Sequence, residues 1–232
     1  MNAASAACHP GTTIPSCVRG VIFDMDGVLL DTERIWGLAE ARLCRSYGAS
    51  YGPDDEAATL GLLSLEACRH YARRFGLVES DAARLERELV EMMCEELEGE
   101  VPPLPGAREL VERLTGRVGL GVASNSRRVI VTRAIERSGL AEAFGVLVSA
   151  DDVSRPKPAP ELYLAACERL AVSPTDALAL EDSPVGATAA LAAGLTCFAV
   201  MPTAPPDGLR VERWVRSLTE LLAAERDNRR EP

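Results

Sequence analysis

Residues 21–32, VIFDMDGVLLDT, constrain this chain more than any other stretch. Three apolar residues, Val21, Ile22 and Phe23, run straight into two aspartates spaced i,i+2, Asp24 and Asp26, and Gly27 follows at once. A short unbroken apolar run is the pattern of a strand buried on both faces, as in a parallel sheet. Gly27 lets the chain turn away where that strand ends. In open parallel sheets, chemistry gathers beyond the carboxyl ends of the strands. Two carboxylates there suit a divalent cation, with one left to attack an electrophile. Taken alone, the same residues also read as a strand followed by a solvated acidic turn.

With 232 residues the chain can bury a substantial core, as one large domain or as a domain with an insert. Its net charge of −10 argues against a nucleic-acid or anionic-membrane surface. An anionic substrate then needs local positive charge, most simply a bound metal with one cation beside it. The seven cysteines (8, 17, 44, 68, 94, 167 and 197) are scattered, odd in number and form no CxxC pair. Neither a disulfide framework nor a zinc site is expected, and a reduced, cytoplasmic setting fits. Residues 1–18 hold small and polar residues without a basic or an apolar block, so a flexible extension is expected there and no signal peptide. No stretch is long and apolar enough to span a membrane.

Along the chain, Thr32 or Asp31 is placed to cap a helix that starts near Glu33 and runs toward Tyr47. From there to about Glu100 only helical patterns occur, broken at Gly48, Gly52, Gly61 and Gly76. An all-helical block directly after a strand reads as an inserted second domain, residues 34–102, with the proline-rich residues 101–106 as its return crossing. Strand and helix then alternate. Helices are expected at 107–114, 127–138, 161–170, 184–194 and 218–225, and strands at 118–123, 146–148, 177–180 and 195–200. This alternation predicts an α/β core, a Rossmann-like parallel sheet with helices on both faces, built from residues 19–33 and 103–225. Residues 226–232 form a charged tail.

Several expected strands end in polar residues that suit one chemistry. The first supplies Asp24 and Asp26, the second Ser124 and Asn125, the fourth Glu181 and Asp182, and the loop after the third Lys157. Magnesium prefers oxygen ligands and retains waters, so carboxylates from two strands suit it. Phosphoryl transfer spreads negative charge over equatorial oxygens, which a cation, a lysine and aligned donors stabilise. Lys157 is the single lysine in a chain with 24 arginines. A compact point charge is wanted there in place of a planar fork.

Four segments in order carry a resemblance to the haloacid dehalogenase superfamily, in its phosphatase and phosphoglucomutase-like branch with a helical cap. They are DMDGVLLDT from Asp24, VASN from Val122, KPAPELY from Lys157 and LEDSPVG from Leu180. The resemblance implies that Asp24 is the nucleophile and becomes an aspartyl-phosphate. Asp26 protonates the leaving alkoxide and then takes a proton from water. Ser124, with backbone amides near Asn125, holds the phosphoryl oxygens, and Lys157 neutralises charge between nucleophile and phosphate. Asp182 binds Mg2+ together with Asp24 and the Asp26 carbonyl, with Glu181 assisting directly or through water. The helical block is then a cap that closes over the substrate and excludes water.

Departures from the family pattern narrow the branch. Trp36 stands where phosphoglucomutase-like members carry a histidine, which favours hydrolysis over mutase chemistry. The only lysine lies outside the cap, against the phosphonate-cleaving relatives, and Asp26 favours phosphate over halide. The expected activity is a magnesium-dependent phosphatase for a small phosphorylated metabolite, a sugar or polyol phosphate, working as a monomer or weak homodimer. The alternatives are a β-phosphoglucomutase-like phosphomutase and a non-catalytic binding protein on the same fold. Arg34, Trp36 and Arg69 are candidate substrate contacts from the cap, each competing with an ordinary solvated or packed role.

Overall fold

The apolar run before Asp24 forms a central strand, β1 (Gly20–Phe23), in a computed structural model that describes residues 14–59 and 61–227. Four helices follow without an intervening strand: α1 (Glu33–Ser46), α2 (Pro53–Thr59), α3 (Ser64–Arg74) and α4 (Ala82–Glu96). The alternating part comprises α5 (Ala107–Leu114), β2 (Gly119–Ala123), α6 (Arg128–Arg137), β3 (Val146–Val148) and α7 (Glu161–Leu170). It continues through β4 (Ala177–Glu181), α8 (Pro184–Ala192), β5 (Thr196–Val200), β6 (Arg213–Val215) and α9 (Leu218–Asp227).

All the pairings of the sheet are parallel, in the order β3-β2-β1-β4-β5-β6. This is the doubly wound order whose direction reverses beside the first strand, the place where such folds build their sites. β1 is in register with both neighbours: Phe23 lies beside Val122 of β2 and Leu180 of β4. Their carboxyl ends are therefore level, and Asp24, Ser124 and Asp182 emerge together at one edge.

Side chains alternate between the two faces, as the period of a strand requires. Val21, Phe23, Leu178, Leu180, Phe198 and Val200 join one apolar cluster, which continues into α1, α3 and α4. Ile22, Ala179 and Cys197 join the other, under α7 and α8. The second face carries small residues because α7 lies close: a methyl group on Gly121 would meet Leu170 at 3.2 Å.

Within the helical block, α4 lies against α1 and α3. Arg42 of α1 pairs with Glu95 and Glu96 at 2.6 and 2.7 Å, and Arg74 pairs with Asp55 at 2.9 Å. The two crossings into and out of the block run side by side, with Leu104 N–H donating to Leu29 O at 2.8 Å and Leu30 bridged to Pro103. Arg133 of α6 reaches Glu98 at 2.9 Å and Cys94 O at 3.1 Å, tying the block to the sheet side.

Several expectations shift. β6 lies in a stretch for which the sequence suggests no element; its three residues pair beside β5, and only Val215 is buried. The last helix runs to Asp227, so the expected tail begins inside it, and residues 228–232 lie outside the described residues. Of the extension 1–18, residues 1–13 lie outside them as well. Neither Thr32 nor Asp31 caps α1 with a side-chain hydrogen bond; the Thr32 hydroxyl is engaged elsewhere. Ser183 does cap α8, accepting from Gly186 N–H at 3.0 Å with Pro184 at the first helical position. Cys17, Cys44, Cys68, Cys94, Cys167 and Cys197 take part in no disulfide. Among the described residues no helix is long and apolar enough to cross a membrane.

Candidate active site

Asp24 is the first residue beyond β1, and its N–H still donates to Leu180 O of β4 at 2.9 Å. That bond fixes the backbone from which its carboxylate projects. Lys157 Nζ lies 2.5 Å from Asp24 Oδ1 and 2.6 Å from Glu181 Oε1, with all three side chains buried or nearly so. Residues 133 and 24 positions from Lys157 thus meet on one ammonium.

Asn125 explains how the Lys157 loop is held. Its side-chain oxygen accepts from Lys157 N–H at 2.9 Å, and its amide nitrogen donates to Lys157 O at 3.3 Å. The Asn125 side chain therefore brackets the backbone of the lysine, apart from the turn amides expected at the phosphate.

Asp26 is surrounded by hydroxyls. Thr32 Oγ1 donates to its Oδ1 at 2.5 Å, while Ser124 and Ser126 hydroxyls donate to its Oδ2 at 3.1 and 3.2 Å. Ser126 N–H in turn donates to Ser124 Oγ at 3.0 Å. Ser126 is not among the site residues expected from the sequence, although it sits two residues beyond Ser124 in the same strand-end turn.

Asp24, Glu181 and Asp182 each present a carboxylate oxygen within 4.8 Å of the others. Burial pushes the Asp24 carboxyl well up; the Lys157 ammonium opposes this, and the charges of Glu181, Asp182 and Asp26 reinforce it. Asp182 is pushed up to about 8, first by burial and then by the Glu181 charge, with Lys157 opposing. For Lys157 itself burial favours the neutral amine, but Asp24 and Glu181 outweigh it and hold the ammonium charged. Four neighbouring acids thus face a single ammonium, and the excess negative charge in an all-oxygen donor set fits a hard divalent cation such as Mg2+.

Glu181 is committed elsewhere. Its Oε1 accepts from Lys157 and from the Tyr163 hydroxyl at 2.5 Å, and its Oε2 from the Ser183 hydroxyl at 3.2 Å. Tyr163, which closes the KPAPELY segment, is fully buried, and the sequence alone assigns it no role.

The candidates on the helical block are less convergent. Arg34 is exposed in the first turn of α1, and Trp36 is half-buried against the core. Arg69 turns to Glu66 and to Glu79, the latter at 3.7 Å, a surface ion-pair arrangement within the block. His70 is half-buried, its Nε2 lying 3.5 Å from Asp55 Oδ1.

The family model for haloacid dehalogenase-like hydrolases matches residues 21–200. Validoxylamine A 7'-phosphate phosphatase of Streptomyces hygroscopicus subsp. limoneus is 32% identical over 86% of this chain and 94% of its own length. Hexitol phosphatase B of Escherichia coli K12 is 35% identical over 90% of this chain and 96% of its own. The crystal structure of CbbY from Rhodobacter sphaeroides in complex with phosphate superposes with a TM-score of 0.79 at 26% identity, covering 90% of this chain and 99% of that one. The shared fold, the matched span and these relatives together establish that the chain belongs to the haloacid dehalogenase-like hydrolases.

Proposed function

We propose that this hydrolase is a magnesium-dependent phosphatase acting on a small phosphorylated sugar or polyol through an aspartyl-phosphate on Asp24. It is a phosphoric monoester hydrolase, as its sequence relatives are named. The observation that carries the reading is the placement of Lys157 Nζ 2.5 Å from Asp24 Oδ1 at the carboxyl edge of β1.

Asp24 attacks phosphorus, splitting one hard displacement into two easier ones. Lys157 spreads charge between that carboxylate and the phosphoryl oxygens, while Ser124 and the amides of its turn hold those oxygens. Asp26, within its hydroxyl shell, gives a proton to the leaving alkoxide and takes one from the water that hydrolyses the intermediate. Asp24, Asp182 and the Asp26 carbonyl would hold Mg2+, with Glu181 behind them. When bound, the cation draws negative charge off the phosphoryl oxygens. Residues 34–102 serve as the lid over this edge, and residues 19–33 with 103–225 as the catalytic core.

Among the relatives are enzymes named hexitol phosphatase B and phosphorylated carbohydrates phosphatase, the latter 33% identical over 77% of this chain, and these names support the substrate class. A panel of hexose, pentose and hexitol phosphates, read by phosphate release with Mg2+ and with EDTA, tests the reading. Release from one or more members that stops on chelation is expected. No release from any member, or release unaffected by EDTA, overturns it. Conversion of β-glucose 1-phosphate to glucose 6-phosphate, with no free phosphate, would assign a phosphomutase instead.

A further inference from the structure

A lysine ammonium is a compact charge on a flexible four-carbon stem, and its direction is set by its acceptors alone. Lys157 has two of them, Asp24 Oδ1 and Glu181 Oε1, which leaves one of its three protons for a phosphoryl oxygen. The precision of that third donor depends on how firmly Glu181 is held. Three sides of the Glu181 carboxylate are closed by Lys157, by Ser183 and by the start of α8. Ser183 donates to Oε2 through its hydroxyl at 3.2 Å and its N–H at 3.4 Å. A methyl group on Gly186 would come within 1.9 Å of Oε1 and 2.1 Å of Oε2, so the start of α8 presses against the group. The side chain itself is 0% exposed.

The fourth side is Tyr163. Its hydroxyl donates at 2.5 Å to the same Oε1 that receives Lys157, and its ring centroid lies 5.2 Å from Lys157 Nζ. One residue of α7 therefore fixes the acceptor of the ammonium and also provides a π-face for it. We propose that Tyr163 is the positioning residue for Lys157: its hydroxyl locks Glu181, and Glu181 aims the ammonium at Asp24 and the phosphoryl group. Its hydroxyl goes to Glu181 and its ring to Lys157, so it acts on the ammonium and not on the reacting atoms. Removing the hydroxyl while keeping the ring frees Oε1 to rotate, and the lysine follows it. The catalytic consequence rests on the phosphatase reading, whereas the geometric one does not.

The chain offers a direct probe, because Lys157 is its single lysine. Protein grown with 15N-ε-lysine gives one ammonium signal, and its hydrogen-exchange rate reports how firmly that group is held. In the wild type this signal is expected to be protected. In Tyr163→Phe it is expected to move and to exchange at least tenfold faster. In the same variant kcat/KM for a phosphorylated substrate is expected to fall roughly tenfold, the scale on which supporting shells act, with the melting temperature within a few degrees of wild type. Site-specific 3-fluorotyrosine at 163 keeps both ring and hydroxyl, and is expected to retain wild-type exchange and turnover. A Tyr163→Phe signal that neither moves nor exchanges faster overturns the proposal. So does a 3-fluorotyrosine protein as impaired as the phenylalanine one, since packing and not the hydroxyl would then be responsible. A wild type that hydrolyses no phosphate ester refutes the phosphatase reading alone, because the lysine signal still decides the role of Tyr163.

Discussion

A methyl group on Gly27 would lie 1.9 Å from Asp182 Oδ2. The turn after β1 and the end of β4 thus approach so closely that only a residue without a side chain fits between them. Gly27 also has φ of +75°, a conformation that costs an L-residue about 1–2 kcal/mol. Gly27→Ala is expected to lower stability by about that amount. Its functional cost is expected to be larger, because relief of the clash must displace the Asp182 carboxylate. Thermal unfolding, together with Mg2+ titration of the activity, checks this: a much weaker Mg2+ response in a folded variant is the expected outcome.

On the proposed magnesium reading, the site without its cation holds protons that Mg2+ must displace. Burial raises Asp24, and Asp182 is pushed up to about 8 by burial and by the Glu181 charge. Protons on Asp182 below about pH 8, and on the raised Asp24 carboxyl, then compete with the cation. The apparent affinity for Mg2+ is therefore expected to rise with pH toward and through about 8, by as much as about tenfold per unit where one proton is displaced. Calorimetric titration across that range also reads the released protons directly. A pH-independent affinity would contradict this account.

Asp152 offers a stability prediction away from the site. Burial pushes its carboxyl up, but hydrogen bonds from Arg128, Ser149 and Arg169 outweigh this and hold it well below the usual range. A depressed folded pKa contributes stability above the unfolded value of about 4, and that contribution is lost as pH falls toward the folded value. Asp152→Asn is expected to cost roughly 1–3 kcal/mol at neutral pH. The gap from wild type is expected to narrow as pH drops below about 4. Denaturant unfolding at neutral and acid pH measures both numbers.

Much of the site was legible because a parallel sheet puts its chemistry at strand ends, and Asp24, Ser124, Glu181 and Asp182 each follow an apolar run. Lys157 stood out as the lone lysine. What sequence could not show are pairings decided by tertiary contact. Thr32 has the chemistry of a helix cap, yet its hydroxyl goes to Asp26 six residues back. The Asn125 side chain holds the Lys157 backbone, a contact across 32 residues that nothing local in the sequence signals. Tyr163 reads as a core residue of α7 because its burial is legible while its partner, 18 residues away, is not. β6 was missed for another reason: the run Arg213, Trp214, Val215 is short and partly polar, and it becomes a strand only because β5 offers it an edge.

The central claim is that Asp24 is the nucleophile of a magnesium-dependent phosphoryl transfer. Turnover of p-nitrophenyl phosphate by wild type and by Asp24→Asn, each with Mg2+ and with EDTA, tests it most directly. The account predicts magnesium-dependent release of p-nitrophenol by the wild type and a loss of about a thousandfold or more in the variant, as expected when a covalent nucleophile is removed. Equal turnover by the two proteins would contradict it.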